Sequence, residues 1–199
     1  MAATEVQIAQ LALQHIGDRF DITSLDEASP EAEQVKLVYD HVRDMLLREH
    51  PWNFAKRYAT PAAVVGTPPD FWSYMFTYPA DALKIVRVVN PAGRNATPIK
   101  FAVGRNSTDA KVLMCDLEEP EVEYIKTLTD AGMYDPAFVL ALSLRLSSAI
   151  AMPITGDRGI MLEMRQLAAE AVSLAKSEDG NEGVEDDKTQ DPDWITARS

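Results

Sequence analysis

Hydrophobic residues in the first part of the chain recur at the spacing of an amphipathic helix. Thr4 and Gln7 have the spacing of a capping box, in which each side chain binds the backbone of the other residue. Apolar residues follow on one face, and Gly17 is a typical helix stop. The pattern therefore predicts a short helix over residues 5–16.

A second helix is predicted to begin at Ser29 and Pro30, which supply an N-cap and a first-turn proline, and to end at Pro51. Its predicted apolar stripe consists of Val35, Val38, Tyr39, Val42, Met45 and Leu46. The residues predicted to face away from that stripe are Lys36, Asp40, Arg43 and Asp44. Residues 1–51 are thus expected to form an N-terminal helical pair.

The middle of the chain, residues 52–130, changes to frequent prolines and clusters of β-branched and aromatic residues. The predicted strands are Phe71–Tyr78, Leu83–Val89, Ile99–Val103, Val112–Cys115 and Val122–Leu128. Turns are predicted between them at Asn90–Gly93 and Gly104–Ser107. We expect a β-rich lobe, either an antiparallel sheet or a small barrel, inserted between helices.

Helical patterns return over residues 131–177. Asp135 and Pro136 open a third helix that is apolar on nearly every side, which predicts a buried central helix ended by Pro153. A fourth helix is predicted over about 158–177. Its apolar stripe is expected to be Ile160, Met164, Leu167, Ala171 and Leu174. The predicted fold class is α+β, with an antiparallel bundle of about four helices around the inserted β lobe.

The last segment, residues 178–199, is polar and acidic, which predicts an extended arm. It holds eight acidic and two basic residues, so it carries −6 of the formal net charge of −12. Trp194 and Ile195 are an apolar pair beyond this solvated spacer, and Arg198 follows them. We therefore predict that Trp194, Ile195 and Arg198 bind a partner, with residues 178–190 as a mostly solvated tether.

Composition narrows the classes of function. A net charge of −12 opposes DNA binding, because proteins that grip DNA neutralise phosphates with basic surfaces. The single cysteine, Cys115, fits a reducing compartment. Residues 1–20 do not have the pattern of a signal peptide, and no stretch is expected to cross a membrane. We expect a protein made in the cytoplasm.

Candidate chemistry is sparse. The common phosphate-loop, dinucleotide, nucleophile-elbow and zinc-protease motifs do not occur. His41 with Asp40 and Asp44, and Glu49 with His50, are better explained as a solvated helix face with local ion pairs than as metal ligands. His15 is expected to interact with the end of the first helix.

Two further clusters contain side chains that could act in catalysis or bind nucleic acid. The acidic residues Glu118, Glu119, Glu121 and Glu123 are expected to form a solvated loop rather than an acid–base pair. The aromatic residues between Trp52 and Tyr78 are expected to pack in the core, since only Lys56 and Arg57 supply positive charge for nucleic acid beside them. The sequence therefore predicts no catalytic, cofactor-binding or metal-binding residue, and no enzyme.

Several short segments, in their order, resemble the tail tubular protein A family, the head-to-tail adaptors of short-tailed phages. The first is the end of the first helix, His15–Gly17, followed by Ile22–Glu27. The others are Leu46–Ala55, Tyr78–Lys84, Tyr124–Asp130, Tyr134–Pro136, Ala151–Thr155 and Trp194–Arg198. The resemblance spans nearly the whole chain, and its specificity lies in the order and spacing of these segments.

The resemblance implies a structural virion protein at the head–tail junction, assembled in the host cytoplasm. Members of the family form a ring, typically of twelve subunits, between the portal protein and the tail nozzle protein. Double-stranded DNA passes through the ring without specific binding, as during ejection, and no cofactor or membrane is implied. An acidic wall agrees with this role, because basic contacts would hold the DNA.

Two other functions stay open. The first is a tail-associated hydrolase of cell-envelope polymer, for which Glu118–Glu123 would supply the acid–base residues. The second is a DNA-binding packaging or regulatory factor, which the helical content allows but the net charge of −12 opposes.

Overall fold

The computed structural model describes residues 3–17, 22–69, 72–93 and 96–182. These residues form a mixed α+β structure, as predicted at that level. The helices are α1 (Glu5–His15), α2 (Pro30–Glu49), α3 (Pro136–Thr155) and α4 (Arg158–Asn181). The strands are β1 (Lys56–Ala59), β2 (Tyr74–Thr77), β3 (Ala82–Val88), β4 (Phe101–Arg105), β5 (Lys111–Cys115) and β6 (Val122–Lys126). Short 3-10 helices lie at Asn53–Ala55 and Ala131–Met133.

The helix starts follow from their capping residues. Thr4 accepts a hydrogen bond from the backbone of Gln7, and the Gln7 side chain accepts one from the backbone of Thr4, so the predicted capping box is confirmed. Ser29 and Asp135 cap α2 and α3, each directly before a proline. Each cap satisfies backbone N–H groups that have no partner within the helix.

Helix α3 is central, because it contacts α1, α2 and α4. Its buried residues lie on several faces, as predicted, and they are Phe138, Ala141, Leu142, Ser143, Leu144, Leu146, Ser147, Ile150 and Ala151. By length and composition alone α3 could cross a membrane, contrary to the sequence expectation for this chain. Half of its most apolar window is buried inside the protein, and core helices commonly pass the same test.

The prediction that Pro153 ends α3 is wrong. The helix continues through Pro153 to Thr155 and ends at Gly156, whose φ of 68° is left-handed. A proline in the last turn costs one backbone hydrogen bond, which is tolerable so close to the helix end. The Gly156 N–H then bonds the carbonyl of Met152 and closes the turn.

The predicted faces of α2 and α4 need correction. On α2, Met45 is 47% exposed, whereas Arg43 is buried, since Asp40 and Asp44 both pair with its guanidinium. On α4, Leu167 and Leu174 are exposed. The row of α4 that is buried consists of Met164, Ala168, Val172, Ala175 and Asp179. Small residues in this row let α4 approach α3 closely, so the larger leucines remain on its flank.

The strands form two three-stranded antiparallel sheets, in the orders β1-β6-β3 and β2-β5-β4. The predicted strands are confirmed with ends shifted by a few residues. Strand β1 was not predicted. Strand β4 begins at Phe101 and includes Gly104 and Arg105, so the turn between β4 and β5 lies later than the predicted Gly104–Ser107. That turn passes through Asp109, whose φ is 62°.

Two isolated bridges add a residue from outside the strands to an edge strand of each sheet: Phe76 of β2 pairs with Ala63, and Val88 of β3 pairs with Ile99. The apolar core between the sheets consists of Phe76, Ile85, Val88, Leu113, Cys115, Val122 and Tyr124. The opposite face of β6 presents Ile125 to the helical core, where it joins Trp52 and Leu128. The β-rich part is therefore packed on the helices through its first sheet.

Candidate functional site

The predicted partner-binding residues Trp194, Ile195 and Arg198 lie outside the described residues, which end at Glu182. The structure does show how the chain leaves the folded body. The prediction that an extended arm begins at residue 178 is wrong. Helix α4 extends to Asn181, so residues 178–181 form its last turn. The C-terminal segment therefore departs from a helix end whose position is fixed by contacts.

Asp179 is the residue that fixes this helix end. Its side chain is 6% exposed. One carboxylate oxygen accepts the backbone N–H of Asn53 at 2.8 Å, and the other lies 3.0 Å from Nε2 of His50. The Asn53 side-chain amide donates to the backbone carbonyl of Asp179 at 2.7 Å. The last turn of α4 is thus joined to the segment that follows α2.

Charged groups beside this contact strengthen the same junction. Glu49 accepts Arg145 of α3 at 2.6 Å and Lys176 of α4 at 3.3 Å, so one carboxylate bridges two helices. The ring of His50 packs edge-on against Trp52, with 4.9 Å between the ring centroids. The histidine–aspartate pair is therefore part of a structural network. The polar composition around Asp179 predicted a solvated tail. The local sequence could not indicate its partners, because they lie 126 and 129 residues away.

The acidic cluster considered for hydrolysis is divided by the fold. Glu118, Glu119 and Glu121 are exposed near the start of β6, as expected for a solvated loop. Glu123 differs, since it is buried and accepts hydrogen bonds from Arg87 at 2.7 Å and from the Tyr58 hydroxyl at 3.2 Å. The hydrogen bond to Glu123 raises the pKa of Arg87. This carboxylate is held in a cross-strand ion pair.

The acids beside the candidate histidine ligands are held in ion pairs. Asp40 and Asp44, beside His41, are bound to Arg43. Across the described ranges, no group of three or more His, Cys, Asp or Glu residues could hold a metal ion. His15 is in the last turn of α1, as predicted, and its Nε2 lies 3.2 Å from the Ser143 hydroxyl of α3. Burial lowers the pKa of His15.

Most of the aromatic stretch packs in the core, as predicted. Trp52 and Phe54 contact Phe138 edge-on, each with 5.1 Å between ring centroids, and Tyr134 lies against the same phenylalanine. The Trp52 indole N–H donates to the carbonyl of Leu46. Tyr58 and Tyr74 depart from the prediction, because they are 55% and 37% exposed, and Phe71 lies outside the described residues.

No protein-family model matches the chain, and no curated protein matches it.

Proposed function

We propose that the chain is a structural virion protein, a head-to-tail adaptor whose copies form a ring between the portal and the tail nozzle of a short-tailed phage. In this proposal the ring is part of the DNA conduit, and the C-terminal segment holds each copy to a neighbouring protein. The proposal begins from the order of family-like segments along the sequence.

The observation that carries the proposal is where those segments meet. Leu46–Ala55 contains the end of α2 and Trp52, and Tyr134–Pro136 opens α3. They meet at Phe138, and Arg48 donates to the carbonyl of Leu83 at 2.8 Å; Leu83 belongs to both the family-like segment Tyr78–Lys84 and β3. The recurring residues thus build the junction of helices and sheet. Such a distribution favours a structural scaffold over a catalytic centre.

Charge supports the same proposal. The chain carries a formal net charge of −12, and its most acidic stretch follows the end of α4 that Asp179 holds against His50 and Asn53. Acidic surfaces do not trap DNA, because affinity for the backbone comes from basic contacts that release counterions. A conduit requires this property, whereas a DNA-binding factor requires the opposite.

The proposed attachment is tested by removing the apolar end of the C-terminal segment. We expect deletion of residues 190–199, or the double substitution of Trp194 and Ile195 by alanine, to abolish binding to the portal protein of the same phage. Glu185→Gln, a change within the acidic spacer, is the matched control and should leave binding unchanged. The measurement is the affinity for purified portal, followed by particle assembly.

Two outcomes of this experiment are distinct. Full affinity after the deletion would remove the arm from the proposal and leave the adaptor role in place. Absence of portal binding by the intact chain would contradict the adaptor role itself.

A further inference from the structure

Three basic residues meet where α2, the first sheet and the end of α4 come together. Arg48 lies in the last turn of α2, and Lys56 and Lys84 lie on β1 and β3. Both lysines oppose Ile125 in the register of the sheet, so they share one face and are about 10 Å apart across β6. The Lys84 ammonium donates to the carbonyl of Arg48 at 3.5 Å. Arg48, Lys56 and Lys84 are called the basic cluster below.

The basic cluster binds only neutral oxygens in the folded chain. Arg48 donates to the Leu83 carbonyl at 2.8 Å, and Lys56 donates to the side-chain oxygen of Asn53 at 2.8 Å. Within the described parts of the chain, none of the three forms an ion pair with Asp or Glu. Arginine has five N–H donors and lysine three, so most of these donors remain for an anion.

The acids closest to the basic cluster are occupied by other bases. These pairs are Asp44 with Arg43, Glu49 with Arg145 and Lys176, Asp81 with Lys126, Asp179 with His50, and Glu123 with Arg87. Glu121 shares the sheet face, but it lies four residues from Ile125, about 13 Å along the strand direction. The formal charge of +3 on the basic cluster is therefore not neutralised by these acids.

The acidic C-terminal segment begins beside the basic cluster. Asn53 donates to the Asp179 carbonyl at 2.7 Å and accepts from Lys56, so one side-chain amide separates Lys56 from the last turn of α4. The structure describes the chain to Glu182, and the run Glu185–Asp187 follows three to five residues later. Three to five extended residues span about 10–17 Å, which matches the width of the basic cluster.

We propose that the acidic run Glu185–Asp187 lies on the basic cluster of the same chain. Single exposed ion pairs contribute little, but the covalent connection to α4 keeps the run at a high effective concentration. The contact directs the C-terminal segment from the end of α4 across the first sheet towards β3. Trp194 is seven residues beyond Asp187, so it stays within about 24 Å of the sheet. Neither a ring nor a portal is needed for this contact.

The contact is tested by zero-length carbodiimide cross-linking of the full chain, because this reagent joins a lysine only to a carboxylate that it touches. Peptide mass spectrometry should find links from Lys56 and Lys84 to the acidic run. Their yield should fall about tenfold between about 20 mM and about 500 mM salt, since salt screens exposed pairs. Lys100, an exposed lysine next to β4 in the second sheet, is the matched control and should not link to the run.

Substitution of the basic cluster gives a second measurement. Arg48→Gln with Lys84→Gln should lower the yield of the Lys56 links about fivefold, because two of three attractive charges are lost. Lys100→Gln should leave that yield unchanged. Equal yields in the two variants would overturn the inference, as would equal linking of the run to Lys100 and Lys56 in the unaltered chain.

A mixture of ordinary and isotope-labelled protein identifies the chain that supplies the run. Links within one isotopic form support the inference, whereas links between the two forms would place the run on another copy and overturn it. Retention of a short DNA duplex that depends on Arg48 and Lys84, without links to the run, would assign the cluster to phosphate and also overturn it. Because the portal is not used, failure here leaves the adaptor role standing, and failure to bind the portal leaves this contact standing.

Discussion

Replacing Asp179 with alanine removes the acceptor of two contacts that join α4 to the segment after α2. Its carboxylate binds the Asn53 backbone N–H at 2.8 Å and His50 at 3.0 Å, and the side chain is only 6% exposed. A hydrogen bond to a charged group contributes about 1.5–3 kcal/mol, and bonds that share one acceptor are not fully additive. We therefore expect Asp179→Ala to lower the free energy of unfolding by about 3 kcal/mol.

The assay is equilibrium unfolding in urea, followed by circular dichroism. With a slope of about 2 kcal/mol/M, a loss of about 3 kcal/mol lowers the midpoint by about 1.5 M. Glu178→Ala is the matched control. Glu178 lies on the same turn but is exposed, and its substitution by alanine also removes one negative charge. Exposed substitutions of this kind usually change stability by less than about 0.5 kcal/mol. Equal midpoints for the two variants would refute the anchoring role of Asp179.

Three further predictions address the core, the flank of α4 and the response to pH. Phe138→Ala should cost about 3–5 kcal/mol in urea unfolding, because Phe138 is fully buried, whereas Leu140→Ala on the same helix, 44% exposed, should cost much less. Leu174→Gln should leave the midpoint unchanged within error, since its side chain is 55% exposed, and a large loss would mean that it is buried. His15 has a lowered pKa in the folded state, so the stability it contributes is present above its unfolded pKa of about 6.5 and is lost as pH falls below that value. His15→Gln should therefore lose less stability than wild type between about pH 7 and pH 5, and identical pH profiles would contradict this.

Local signals predicted the helix starts and most strands. The caps at Thr4, Ser29 and Asp135 act within three residues, so the sequence around each one contains the information that defines it. Strands such as β5 were predicted from a short apolar run between turn residues. In contrast, β1 contains Lys56 and Arg57 and is four residues long, so its composition does not indicate a strand.

The errors arise from contacts that are distant in sequence. Local composition placed Asp179 in the solvated arm, but its bonds to His50 and Asn53 extend α4 beyond the predicted end. Arg43 was assigned to the solvated face of α2 because it is charged, yet two adjacent carboxylates allow its burial. On α4, helical spacing identified the leucines but could not show which flank α3 covers.

The candidate site was predicted only in part. Composition identified Trp194 and Ile195 as an apolar pair after an acidic spacer, and their binding role stays a prediction. Which large apolar side chains remain exposed depends on how the elements pack, and local sequence does not show this. Periodicity placed Met45 in the core, and it gave no indication that Leu37 and Tyr58 would be among the most exposed apolar residues.

The mass of the protein alone and mixed with its portal tests the adaptor role most directly. Native mass spectrometry of the mixture should show the portal with a closed ring of added copies. For twelve copies of a 22.0 kDa chain, the added mass is about 264 kDa (12 × 22.0). A portal whose mass is unchanged by an excess of the intact protein would contradict the account.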